Sequence, residues 1–233
     1  MNTSKILVMI PAFNEQGSIA RVIKDVQSLA LTDALVIDDG SSDQTAALAK
    51  KAGAHVLSLP FNLGIGGAVQ TGYQYARKHG YAIAVQVDGD GQHDVQFLPK
   101  LIAPILSGEQ DFVIGSRFLP PFSEYRSSLI RRLGIGFFAW LISFLTGVQV
   151  TDPTSGFRAC NQKMISLFAQ DYPQDFPEPE SIVEAKKASA RIGEVAVHMR
   201  PRAAGQSSIR YLKTGYYMIK VTFAIILRTI QRS

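Results

Sequence analysis

The sequence predicts an α/β fold with a mostly parallel sheet flanked by helices, and three observations carry that expectation. Short apolar runs alternate with segments of helical period through the first half of the chain, the pattern of successive βα units. Each apolar run ends in a polar, turn-forming segment: PAFNE, DDGSSD, NLGIGG, DGDGQH and GSR. A hydrophobic fraction of 46% with 18% charged residues over 233 positions supplies one large core and excludes a disordered chain.

Strands are expected at 6–10, 35–38, 55–59, 82–87 and 112–115. Between the first two, Ile19, Val22, Ile23, Val26 and Leu29 recur at helical spacing, which predicts a helix with one buried face. Ser41 or Ser42 can cap a second helix and Gly53 can close it. Asp94 can cap a later one, with Phe97, Leu98, Leu101, Ile102 and Ile105 on its inner face. In an open α/β sheet ligands bind outside the carboxyl ends of the strands, so the five polar segments should line one crevice.

The second half has a different character. Residues 133–151 form an uncharged stretch of 19 residues, at the lower edge of the ~20 needed to span a bilayer. It holds three glycines and runs directly into TDPTSGFR, which favours a helix packed on the core or lying in the membrane interface. The tail after residue 210 is basic, aromatic and apolar, and Lys220 interrupts it, so a surface amphipathic helix is expected there rather than a span.

Charge and cysteine content narrow the partners. The net charge is +5, but the basic excess gathers late, at Arg126, Arg131, Arg132, Arg200, Arg202, Arg210, Lys213, Lys220, Arg228 and Arg232. Several of these flank apolar stretches, which fits an anionic membrane surface or a phosphorylated lipid better than nucleic acid. One cysteine, Cys160, forms no internal disulfide and points to a reducing, cytoplasmic compartment. No signal peptide is read at the N-terminus.

Four segments carry chemistry. DGDGQH sets Asp88 and Asp90 two apart at a strand end, where a turn lets both carboxylates reach one hard cation together with diphosphate oxygens; the alternative is an ordinary polar turn. Asp38 and Asp39 end the second strand and can accept hydrogen bonds from a base or ribose, or cap a helix. NLGIGGAV has Val69 where a dinucleotide fingerprint needs its third glycine, and no P-loop is present. Arg117, Arg200 and Arg202 are candidates for forked phosphate contacts. The four histidines show no ligand spacing.

In order, PAFNE, DDGSSD, DGDGQH, GSRF, TDPTSGFR and RPRAAGQSS resemble the GT-A-fold family 2 glycosyltransferases, and most of all their dolichol- or polyprenyl-phosphate mannosyl- and glucosyltransferase branch. The resemblance spans about residues 5–210. It implies a catalytic domain over 1–210, including an apolar interfacial segment at 126–150, followed by a basic amphipathic helix over 211–233. It implies that Pro11, Phe13, Glu15 and Asp39 line a nucleoside pocket, with Gly89 in the donor site. Asp88, Asp90 and Gln92 would hold Mg²⁺ or Mn²⁺ against the diphosphate, and Arg117, Arg131 and Arg202 would bind donor or acceptor phosphates. Phe13 stands where the family usually has tyrosine.

The activity implied is an inverting, metal-dependent transfer from a nucleotide-sugar donor to a lipid-phosphate acceptor, with Asp90, Arg117 and Glu180 as catalytic candidates. A phosphate acceptor is already anionic and needs no general base; a hydroxyl acceptor needs one, and Glu178 and Glu180 are the available carboxylates. Extension of a glycan at a hydroxyl, and a non-catalytic nucleotide-sugar-binding scaffold, are the competing readings. The expected place is the inner face of the cell membrane, held peripherally, with a membrane-protein partner as a further candidate and no nucleic acid.

Overall fold

Seven strands, β1 (Ile6–Ala12), β2 (Asp33–Asp38), β3 (His55–Ser58), β4 (Ile83–Gln86), β5 (Phe112–Ser116), β6 (Arg158–Asn161) and β7 (Ile192–Ala196), form a single sheet. Their order across it is β3-β2-β1-β4-β6-β5-β7. The helices are α1 (Ile19–Gln27), α2 (Thr45–Lys51), α3 (Gly64–Lys78), α4 (Leu98–Leu106), α5 (Leu129–Thr146), α6 (Gln162–Gln170), α7 (Pro177–Lys187) and α8 (Thr214–Ile230). This computed structural model describes residues 5–30, 32–121, 129–200 and 214–230, with 129–131 and 214–217 described by backbone alone.

All five expected strands form, each within two residues of its expected bounds. Every pairing is parallel except those of β6, which runs antiparallel to both β4 and β5. β1 is buried along its whole length, so it reads as a continuous apolar run rather than an alternating one. Leu7 and Met9 face one layer with α3 and α6, while Val8 and Ile10 face α1 and α4 on the other. The sheet is thus covered on both sides, as an α/β fold requires.

The sequence did not announce β6 and β7. Each is four or five residues long, and β6 carries a charged residue, Arg158, that is wholly buried. Caps also differ from expectation. Asp43 Oδ1, not Ser41 or Ser42, accepts from Thr45 N at the start of α2. Gly53 follows that helix with φ +86°, the left-handed close expected of it. Asp94 Oδ1 accepts from Gln96 N in a short 3-10 turn that leads into α4.

The apolar stretch at 133–151 divides into helix and loop. α5 ends at Thr146, and Gly147 follows with φ +70°. Ile135, Phe138, Leu141 and Ile142 are buried along its inner face, and the last three join the main core. Among the described residues, no helix is long and apolar enough to cross a membrane. α8 packs against α5 and α7 and contributes Val221 and Ile225 to the same core. Near its end Arg228 is held between Asp171 (2.8 Å) and Glu184 (2.7 Å). The expected boundary at 210/211 falls outside the described residues.

Candidate active site

The carboxyl ends of β1 and β2 are stitched together by their loops. Asn14 sits at φ +56°; its N–H donates to Ser41 Oγ, and its side-chain oxygen accepts from Ser42 N, both at 2.9 Å. Glu15 N donates to Thr45 Oγ1 and Gln16 N to Asp43 Oδ2. The serines that looked like helix caps are therefore the seam between PAFNE and DDGSSD. Pro11 is buried in β1, Phe13 is exposed at the turn, and Glu15 is half-buried with its carboxylate accepting from Ser18 Oγ at 3.0 Å.

Asp39 is buried, and its two oxygens accept from Leu63 N (2.7 Å) and Gly64 N (3.0 Å). It caps α3, an arrangement that sequence spacing could not show because the partners lie 24 and 25 positions away. Burial pushes its carboxyl up, and the two N–H groups partly offset that. Gly40, at φ +70°, lies against Phe61 and Asn62; a β-carbon there would come within 2.9 Å of Asn62 N. Only glycine fits that turn.

The DGDGQH loop leaves β4 beside this wall. Gly89 N donates to Pro11 O at 3.2 Å, and a β-carbon on Gly89 would crowd that oxygen and Ala12 at 3.1 Å. Asp90 is mostly buried and its Oδ1 accepts from Gln92 N at 3.0 Å. Asp88 is held on several sides. Gln86 Nε2 donates to its Oδ1 at 3.2 Å, and its own N–H donates to His93 Nδ1 at 3.0 Å. That bond leaves Nε2 as the protonated nitrogen of a neutral ring, 3.6 Å from Asp88 Oδ2. His93 is buried and stacks on Phe157 with centroids 5.0 Å apart. Gly156 closes the remaining side: a β-carbon there would lie 2.8 Å from Asp88 Oδ2. Among the described residues no cluster of three or more His, Cys, Asp or Glu is arranged to hold a metal.

The segment TDPTSGFR is a web of buried charge. Arg117, expected on phosphate, is instead buried at the end of β5 and forked onto Asp152. Its Nε donates to Oδ2 at 2.5 Å and its Nη2 to Oδ1 at 2.6 Å, with a further bond to Thr154 Oγ1. Asp152 is itself fully buried, and Glu194 of β7 accepts from the N–H groups of Thr151 and Asp152. Arg158 donates to the carbonyls of Ser155, Pro153 and Glu178 and to Ser181 Oγ. It ties the 152–157 loop to the start of α7.

Two further candidates lie among charged neighbours. Arg200 is engaged by Asp25 (2.7 Å) and Asp94 (2.8 Å), so its guanidinium braces the loop beside Gln92, whose carbonyl accepts Arg200 N. Glu180, named as a catalytic candidate, is buried on the side of α7 that feels Arg228 and Glu184. Glu178, two residues earlier on the same helix, instead shares the electrostatic surroundings of Asp88, Arg158 and Arg117, and burial pushes its carboxyl up. The Arg131 side chain and Arg202 lie outside the described residues. Sequence reasoning passed over Asp152, Gly156, Arg158 and His93. Their signal was the motif TDPTSGFR itself and the histidine adjoining an acidic turn.

Comparison with known proteins identifies the family and the fold. The model of the family described as Glycosyl transferase family 2 matches residues 7–169. The chain is 30% identical over 211 residues to a UDP-N-acetylglucosamine–dolichyl-phosphate N-acetylglucosaminyltransferase of Methanococcus voltae, covering 82% of this chain and 84% of that one. It is 28% identical over 231 residues to an undecaprenyl-phosphate mannosyltransferase of Micrococcus luteus, covering 94% and 93%. Its fold resembles glucosyl-3-phosphoglycerate synthase from Mycobacterium tuberculosis, solved with Mn²⁺, uridine diphosphate and phosphoglyceric acid, at a TM-score of 0.76 and 23% identity over 99% of this chain and 80% of that one. The seven-stranded, mostly parallel sheet and the family match together place this chain among the family 2 glycosyltransferases, with the GT-A architecture.

Proposed function

We propose that the chain moves a sugar, with inversion, from a nucleotide-sugar donor to a polyprenyl-phosphate-type lipid. The carrying observation is the Asp88/Asp90 turn, held by Gly156 and His93 at the mouth shared by the β1, β2 and β4 ends. Relatives named for dolichyl-phosphate and undecaprenyl-phosphate transfer support the choice of acceptor.

Phe13 and Glu15 lie at the open end of the loop wall and Pro11 within it, which suits a nucleoside laid over the turn. Asp39 keeps acceptor capacity beyond its two backbone donors, because each carboxylate oxygen carries two lone pairs. Gly89 lets the diphosphate approach the backbone. Asp88 and Asp90, with Gln92, form an all-oxygen donor set, the chemistry that suits Mg²⁺ or Mn²⁺ completing its shell from water and phosphate. When bound, such a cation neutralises charge on the departing nucleoside diphosphate. Arg131 and Arg202 are assigned to donor or acceptor phosphate, and Arg117 is reassigned to holding the loop that carries Gly156. A phosphate acceptor attacks as an anion, so no side chain has to remove its proton.

Product analysis tests this directly: UDP-, GDP- and dTDP-sugars are offered with a polyprenyl phosphate and divalent metal. A glycosyl phospholipid is the expected product. Transfer only to a hydroxyl would overturn the acceptor assignment. That second reading has one structural point in its favour, the half-buried Glu178 within the field of Asp88. With a phosphate acceptor, Glu178→Gln and Glu180→Gln should each keep turnover within about threefold of the unmodified chain. A base lost from a hydroxyl reaction would cost about 10²–10⁴-fold, and it would fall on Glu178 rather than Glu180.

A further inference from the structure

Two exposed apolar stripes lie on adjacent helices, outside the site. On α5, Leu133, Phe137, Trp140 and Phe144 are 66, 39, 60 and 74% exposed. Their spacing of four, three and four sets them along one line of the helix, opposite the face that enters the core. Trp140 and Phe144 stack with centroids 5.8 Å apart. On α8, Ile219, Phe223, Leu227 and Ile230 are 57–70% exposed, again at helical spacing, while Val221 and Ile225 point inward. The helices touch where Gly134 faces Met218. A soluble chain rarely leaves so much contiguous apolar surface open without a partner for it.

We propose that α5 and α8 form a docking face for an anionic phospholipid bilayer, on which the protein lies at interfacial depth. Charge selects this occupant. Neither helix contains an acidic residue, and both carry cations, with Arg132 and Lys220 exposed. Pairing this face with the same face of a second copy would bring those cations together, which opposes a dimer. Spanning is excluded by packing as well as length, since the inner faces of both helices are buried in the protein core. An indole and phenyl rings beside basic residues are the composition of the headgroup boundary. α7 packs on both helices, and Arg158 ties its first turn, at Glu178 O, to the loop whose Gly156 abuts Asp88, so the docking face and the candidate site share one element. A lipid-borne acceptor would then reach the site without leaving the bilayer. The inference deepens the lipid-acceptor reading, yet its test needs neither donor nor acceptor.

Trp140 is the only tryptophan in the chain, so its fluorescence reports on this face alone. With vesicles of phosphatidylcholine and phosphatidylglycerol its emission should shift to the blue and be quenched by bilayer-embedded bromolipid. Pure phosphatidylcholine should give a weaker response. Salt well above about 0.1 M should weaken binding to the anionic vesicles, because surface attraction is then screened within about 10 Å. Phe137→Ser with Phe144→Ser keeps the probe and removes apolar area; it should lower partition about tenfold or more. Unchanged Trp140 emission in the unmodified protein with anionic vesicles would overturn the proposal. So would a dimer by light scattering in which Trp140 is already shielded in buffer. Vesicle binding without transfer to polyprenyl phosphate would leave this inference standing and remove the acceptor assignment.

Discussion

Asp88→Asn and Asp90→Asn should each lower turnover by about 10²–10³-fold, the usual cost of removing one electrostatic group from a transition-state site, with little change in melting temperature. Both substitutions are isosteric. An amide at position 90 retains an oxygen to accept Gln92 N, and position 88 keeps its backbone bond to His93. What they remove is the negative charge that the proposed site offers to a cation. Excess EDTA should abolish activity in the unmodified protein, and full turnover in EDTA would remove the metal assignment. Gly156→Ala supplies a separate check that leaves every charge in place. Its methyl group would sit 2.8 Å from Asp88 Oδ2 and 3.0 Å from Oδ1, so the carboxylate must move. Loss of donor binding comparable to Asp88→Asn is expected. Normal kinetics in Gly156→Ala would mean that the placement of Asp88 is not critical.

The parts of this molecule legible in the sequence were those written in local pattern. β1, β2, β4 and β5 are runs of apolar residues, and α1 shows its buried face in the spacing of Ile19, Val22, Ile23 and Val26. The polar turns converge because a parallel sheet sends all its carboxyl ends one way. Long-range partnerships were not legible. Asp39 reaches Leu63 and Gly64, Arg117 reaches Asp152 35 positions on, and Arg200 reaches Asp25 175 positions back. Each looked like a free functional charge because its partner is distant in the chain. Glu178 and Glu180 differ for another reason: two residues apart on a helix turns the side chain by roughly 200°. The choice between them depended on the packing of α7 against α8, which the motif DFPEPES does not encode.

Arg117→Met should lower stability by about 3–5 kcal/mol, the cost of leaving one member of a buried ion pair without its partner. For a chain of this size that is a fall of roughly 10 °C in melting temperature. Asp152 is fully buried and takes both arms of the Arg117 fork as well as Arg117 N, so its charge would be stranded by the change. Adding Asp152→Asn to Arg117→Met should recover much of the loss. The amide oxygen can still accept the backbone N–H of position 117, and the charge at position 152 is gone with its partner. The two changes together should therefore cost well under the sum of the singles, a coupling that distant or independent sites do not show. Arg117→Lys should fall between, since it keeps the charge and loses the planar fork. A phosphate-binding role predicts the opposite pattern: unchanged melting, a raised KM for donor or acceptor, and no rescue by Asp152→Asn. Thermal midpoints of these variants and the unmodified protein, read beside their donor KM values, separate the two. If melting is unaffected while KM rises, Arg117 acts with Arg131 and Arg202 on the phosphates, and its fork onto Asp152 is not what holds the loop carrying Gly156.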